Sequence, residues 1–121
     1  MPRALQRLDH TWVAGSGGRI AGFIVVVEDE LEQIYIDADA RGTGLGKVLL
    51  RRAEDEIRSA GHRAAWLAVA TGNRRARDFY ARLGWRDAGP ISYMAETEQG
   101  PFAVPCHRYE IDLAEPASYR P

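Results

Sequence analysis

The longest unbroken apolar run is Phe23-Ile24-Val25-Val26-Val27. A run without polar alternation predicts a strand, residues 20–27, covered on both faces. A shorter patch, Trp12-Val13-Ala14, precedes it across Gly15-Ser16-Gly17-Gly18, so the start reads as strand, hairpin loop and second strand. Glu28-Asp29-Glu30 is a polar turn, and residues 31–36 form a third strand rich in β-formers at Ile34-Tyr35-Ile36. The period then changes. Leu45, Val48, Leu49, Ala53, Ile57 and Ala60 recur at helical spacing, with Arg51, Arg52, Glu54, Asp55 and Arg58 on the opposite side and Gly61 as a stop. Residues 64–70 return to strand, with Trp66, Leu67 and Val69 turned inward. Strand, helix and strand over residues 31–70 predict a βαβ unit with parallel strands and a right-handed crossover.

A second helix is predicted from an Asn73 cap to about Leu83, with Gly84 ending it and Ala76, Phe79, Tyr80 and Leu83 inside. Residues 91–97 and 102–113 read as two strands around Glu98-Gln99-Gly100, Pro105 marking a bulge or an edge. The tail, residues 114–121, reads as loose.

At 121 residues the chain has room for one domain, residues 1–121. Sixteen basic against seventeen acidic side chains leave a net charge of −1, which argues against a nucleic-acid binder that relies on a positive field. No apolar run approaches the roughly 20 residues that span a bilayer, and the start lacks the apolar centre of a signal peptide. The expected compartment is the cytoplasm. Cys106 is the single cysteine, which excludes an internal disulfide and a multi-cysteine metal site. His10, His62 and His107 have no ligand spacing, so no metal is expected.

The informative chemistry lies where the third strand meets the first helix, in Ile34-Tyr35-Ile36-Asp37-Ala38-Asp39-Ala40-Arg41-Gly42-Thr43-Gly44-Leu45-Gly46-Lys47. Backbone N–H groups at a helix start have no intrahelical partner, and glycine removes the side chains that would hold an anion away from them. Arg41 and Lys47 add positive charge on either side. A phosphate-binding turn is therefore expected. Gly46-Lys47 is followed by Val48 rather than Ser or Thr, which does not fit a P-loop, and Gly42-Thr43-Gly44-Leu45-Gly46 lacks the GxGxxG spacing of a dinucleotide fingerprint. A plain helix start with permissive glycines is the bland alternative.

Arg41-Gly42-Thr43-Gly44-Leu45-Gly46 resembles the (Q/R)xxGxG signature of the GNAT superfamily of acyl-CoA-dependent N-acetyltransferases. Asn73, Ala76, Tyr80, Leu83, Gly84 and Trp85 are similar to that family's N-x-x-A-x-x-x-Y-x-x-L-G-(F/W) segment, and the order of elements agrees over residues 20–86. The resemblance implies an α/β (α+β) fold with a mixed, mostly antiparallel central sheet, a parallel βαβ unit and splayed strands. It implies that the amides of residues 41–47 hold the diphosphate of acetyl-CoA. Ile34, Tyr35 and Ile36 would pair with the pantetheine arm, Asn73 would contact that arm, and Tyr80 would protonate the departing thiolate. The implied reaction is direct transfer of an acetyl group to a primary amine, the acceptor being a small molecule or a peptide.

The sequence departs from the family in two places. Some members carry a basic glutamate five residues before the asparagine; here that position is Ala68. Glu30, Glu32, a water chain or an acceptor that arrives neutral remain as alternatives. The N-terminal part is also shorter than the family's, with about nine residues before Thr11-Trp12-Val13. The strand at Trp12 would then be an open edge, which motivates a homodimer. Rival readings are a non-catalytic acyl-CoA-binding or regulatory module and a nucleotide-binding domain. Cys106-His107 sit next to each other on a strand and so point to opposite faces, which makes a nucleophile–base pair unfavourable. Arg74, Arg75 and Arg77 read as a solvated basic helix start or as contacts to the 3′-phosphate of coenzyme A.

Overall fold

The computed structural model describes residues 4–8, 10–16 and 18–113, and for residues 4–8 and Ser16 the backbone alone. The predicted tail, residues 114–121, lies outside the described residues. Two compact units are present. Residues up to Ala65, joined by Leu113, form one, and Trp66–Asp112 form the other.

In the first unit β1 (Ala4–Leu8), β2 (Thr11–Ser16), β3 (Arg19–Val27) and β4 (Glu30–Ile36) make an antiparallel meander in sequence order. The sequence pattern missed β1. It pairs with β2 from Ala4 opposite Gly15 to Leu8 opposite Thr11, so β2 is not an edge and the edge argument for a homodimer is removed. A second correction concerns β3. Gly22, Ile24 and Val26 are buried, whereas Phe23 and Val25 are half-buried. One face is therefore closed and the other partly open, as in an ordinary alternating strand.

Helix α1 (Leu45–Ser59) packs on β3 and β4. Leu45, Leu49, Leu50, Ala53 and Ile57 form its buried stripe. Val48, expected inside, is 54% exposed, and Leu50 takes the inner position instead. The sheet lies slightly to the Leu50 side of the predicted stripe, and the three-and-four spacing alone leaves that choice open. The helix comes so close to the sheet at Gly22 that a Cβ there would sit 2.6 Å from the carbonyl oxygen of Tyr35 and 3.0 Å from Leu49. Arg52–Glu56 at 3.2 Å lies on the outer side, whereas Glu54, expected there, is buried and held by Arg51 at 2.7 Å. Gly61, at φ +101°, ends the helix with its N–H on Arg58 O at 2.9 Å.

In the second unit β5 (Ala64–Ala70, less its first two residues) is followed by α2 (Arg74–Arg82), β6 (Arg86–Thr97) and β7 (Gly100–Asp112), with β7 between β5 and β6. β6 and β7 form one long antiparallel hairpin, starting earlier than the pattern at Ile91 suggested. Pro105 marks neither a bulge nor an edge: it sits in regular register opposite Ser92, on the middle strand. It is tolerated because a strand residue's N and O point the same way. The carbonyl of Pro105 receives Thr71 N–H at 3.1 Å, one residue past the end of β5, so its missing donor faces a place where β5 has stopped. The bulge lies instead at Asp87–Gly89, with Gly89 at φ +112°. No helix among the described residues is long and apolar enough to cross a membrane.

Candidate active site

The glycine turn begins with Asp37, whose carboxylate caps a one-turn 3-10 helix (Ala38–Ala40) by accepting from Asp39 N–H at 3.2 Å. Arg41 leaves that turn in extended conformation, and the chain enters α1 through Gly42 at φ +78° and Gly44 at φ +89°. These left-handed angles are the physical reason for glycine at both positions. A Cβ on either would meet nothing within 4 Å, so both glycines border open space. Arg41 N–H and Thr43 N–H close on Ala38 O and Ala40 O at 3.3 Å each, and Leu45 N–H leans on Thr43 Oγ1 at 3.4 Å. Among the described residues no hydrogen bond engages the N–H of Gly42, Gly44, Gly46 or Lys47. A concave turn with four unpaired amides at a helix N-terminus is suited to a phosphate or diphosphate. Arg41 and Lys47 are exposed beside it. Two nearby carboxylates, which would repel such an anion, are held by one cation: Arg19 lies 2.8 Å from Asp39 and 3.6 Å from Asp37.

Ile34, Tyr35 and Ile36 end β4, just before this turn, with Tyr35 stacked on Phe23 at 5.4 Å between ring centroids. Glu30 and Glu32 lie at the start of the same strand, half-buried and exposed respectively.

The second unit carries the other predicted residues. Asn73 caps α2, its side-chain oxygen accepting Ala76 N–H at 3.2 Å, which leaves its carboxamide NH2 as a donor. Tyr80 is the one buried residue of α2. Its ring lies 5.4 Å from Phe79, 6.1 Å from Tyr109 and 6.3 Å from Trp85. Burial pushes the Tyr80 hydroxyl up to about 12, so it stays protonated through the physiological range. Ala68 is half-buried on β5.

Arg77 corrects the expectation for the basic helix start. Arg74 and Arg75 are exposed, but Arg77 turns inward. Its Nη1 donates to Thr71 O at 2.9 Å, Nε to Tyr109 Oη at 3.2 Å and Nη2 to Asp87 Oδ2 at 3.2 Å. His107 Nδ1 lies 2.9 Å from Asp87 Oδ1, which places the proton on that nitrogen and makes it the donor. The hydrogen bond from His107, with Gly89 N–H at 2.9 Å and Arg77, holds the Asp87 carboxyl below its ordinary range. Cys106, on the other face from His107, is buried, and burial pushes its thiol up. No local spacing signals this cluster, because its members lie on three separate elements. Among the described residues no group of three His, Cys, Asp or Glu side chains is placed to hold a metal ion.

The acetyltransferase (GNAT) family model matches residues 2–85. Streptothricin acetyltransferase of Streptomyces lavendulae is 34% identical over 103 residues, covering 78% of this chain and 54% of that protein. The [ribosomal protein bS18]-alanine N-acetyltransferase of Escherichia coli K12 is 37% identical over 75 residues, 59% of this chain and 51% of that one. The chain thus spans about half the length of these curated relatives. The crystal structure of nourseothricin acetyltransferase superimposes with a TM-score of 0.73 at 27% identity, over 86% of this chain and 65% of that one. A GNAT acetyltransferase from Elizabethkingia anophelis, solved with acetyl-CoA bound, shares the fold with a TM-score of 0.69 at 12% identity, over 85% of this chain and 75% of that one. With a family match that runs from β1 through the glycine turn to the end of α2, this chain belongs to the GNAT acetyltransferase family.

Proposed function

We propose that residues 1–121 act as one N-acetyltransferase domain that moves an acetyl group from acetyl-CoA directly to a primary amine. The observation that carries the reading is the glycine turn: four unpaired amides at Gly42, Gly44, Gly46 and Lys47, open space at both left-handed glycines, and two flanking cations. These residues fit a diphosphate. The family match crosses the boundary between the two units, which supports treating them as one functional domain.

Acetyl-CoA, when bound, supplies the activated thioester. Within residues 41–47 the unpaired amides of Gly42, Gly44, Gly46 and Lys47 would hold its diphosphate, with Arg41 and Lys47 adding charge-assisted contacts. The backbone of Ile34, Tyr35 and Ile36 and the NH2 of Asn73 orient the pantetheine arm. Tyr80 donates its phenolic proton toward the departing thiolate. A phenol at about 12 is a weaker acid than an ordinary thiol near 8.5, so full transfer alone is uphill by roughly 5 kcal/mol. Tyr80 therefore works as a relay, recovering a proton as the acceptor nitrogen loses its own.

The acceptor must react as the neutral amine. For a lysine-like amine near 10.4, reaching that form at pH 7 costs about 4.6 kcal/mol. Glu30 or Glu32 on β4, a chain of waters, or an acceptor that arrives already neutral meets this demand, because Ala68 offers no base. The same Ala68 supports a second reading, a module that binds acyl-CoA without transfer. The known relatives act on streptothricin and on a ribosomal protein alanine, which makes small amines and peptide N-termini the first acceptors to try.

Calorimetry with CoA and a thiol-release assay over an amine panel test the proposal together. CoA binding with acetyl-CoA-dependent thiol release from at least one amine is expected, and Tyr80→Phe lowers turnover far more than acetyl-CoA affinity. Binding without transfer to any amine selects the second reading. Absence of CoA binding refutes both.

A further inference from the structure

We infer that Arg77 is a positioning residue that sets Tyr80 in place through Tyr109. This rests on the reading of Tyr80 as the proton donor, and it adds a residue at a position that the Asn73–Tyr80 motif leaves unspecified.

Helix α2 has nine residues and buries Tyr80 alone, so apolar packing gives it little hold. Arg77 supplies the rest. It lies three residues before Tyr80 and thus on a neighbouring part of the same face. Its planar guanidinium reaches three acceptors on three pieces of chain: Thr71 O at the entry to α2, Asp87 on β6 and Tyr109 on β7. Three fixed points define the rotation of a short helix, whereas one or two leave it free to roll.

Each acceptor is itself fixed. Asp87 sits at the β6 bulge, where it takes Gly89 N–H at 2.9 Å and His107 Nδ1–H at 2.9 Å. Bulges re-aim side chains, and this one turns Asp87 toward Arg77. Tyr109 is 4% exposed, and its ring lies 6.1 Å from that of Tyr80. The Nε–Oη bond thus fixes the wall against which the Tyr80 ring rests. On the far side Trp85 N–H donates to Tyr80 O at 3.0 Å, which ties the end of α2 down. Arg77 governs the remaining freedom.

The test uses the full chain with 13Cζ-labelled tyrosine, read by NMR, beside steady-state kinetics with acetyl-CoA and an accepting amine. Arg77→Gln is expected to move the Tyr80 signal as well as that of Tyr109. It should lower kcat by between about 10- and 100-fold while KM for acetyl-CoA stays within about twofold, as for a misplaced catalytic group. Arg77→Lys keeps the charge but not the fork, and should recover only part of the loss. Tyr109→Phe, which keeps the ring and removes one hydroxyl, should move the Tyr80 signal in the same direction should Arg77→Gln fail to fold. A Tyr80 signal unmoved by these variants overturns the inference. So does an unchanged kcat in Arg77→Gln when Tyr80→Phe is slow. Were Tyr80→Phe as fast as the native chain, the proton-donor reading would fail by itself, and the tyrosine signals would still decide whether Arg77 places Tyr80.

Discussion

Replacing Tyr80 by Phe removes one oxygen from a site that is 6% exposed, and its pH-dependent effect on stability should lie in alkali. In the folded chain burial raises the hydroxyl to about 12, while in the unfolded chain it titrates near 10. The neutral form is thus favoured by folding. Its contribution to stability is fully present below pH 10 and is lost as pH rises from about 10 through about 12, because the unfolded chain releases the proton first. Two pKa units correspond to roughly 3 kcal/mol over the whole range, and about half of that is lost by pH 11. Urea unfolding followed by tryptophan fluorescence, Trp85 being 6.3 Å from the Tyr80 ring, measures this between pH 7 and 11. Other titrating groups are common to both proteins, so the stability difference between native and Tyr80→Phe isolates the one hydroxyl. That difference should be flat to about pH 9.5 and then shrink by roughly 1–2 kcal/mol at pH 11. A difference that stays flat to pH 11 would mean that the phenol ionises as in water, and Tyr80 would not be the buried, fully protonated donor described above.

Three further outcomes are expected. Gly44→Ala places a side chain at φ +89°, at a cost of roughly 1–2 kcal/mol in urea unfolding, and should weaken CoA binding in calorimetry at least tenfold by distorting the amide turn. Leu49→Ala, at a fully buried position of α1, should cost about 2–5 kcal/mol and lower Tm without altering the KM for acetyl-CoA of the fraction that remains folded. The Asp87 carboxyl is held below its ordinary 3.8 chiefly by His107, so its contribution is present above that value and lost as pH falls through the lower folded one; acid unfolding of Asp87→Asn should lack this loss below about pH 4.

Features that depend on a few neighbouring residues were legible in the sequence. The glycines at 42 and 44 announce left-handed backbone entering a helix. Asn73 and Gly84 bracket α2 as cap and stop, and the spacing from Leu45 to Ile57 defines α1. Each follows from backbone sterics and hydrogen bonds that close within four or five residues. The tertiary structure decided what depends on distant partners. Leu50 rather than Val48 faces inward because the sheet happens to lie on that side of α1. β1 exists as a strand because β2 offers it a ladder, and the ALQRL pattern by itself does not specify one. Pro105 fits a middle strand because β5 stops short of it. Arg77 turns inward because Asp87 and Tyr109, 10 and 32 residues further along the chain, converge on it. No local pattern encodes such a meeting, since its energy exists only once the chain has brought those groups within hydrogen-bonding distance.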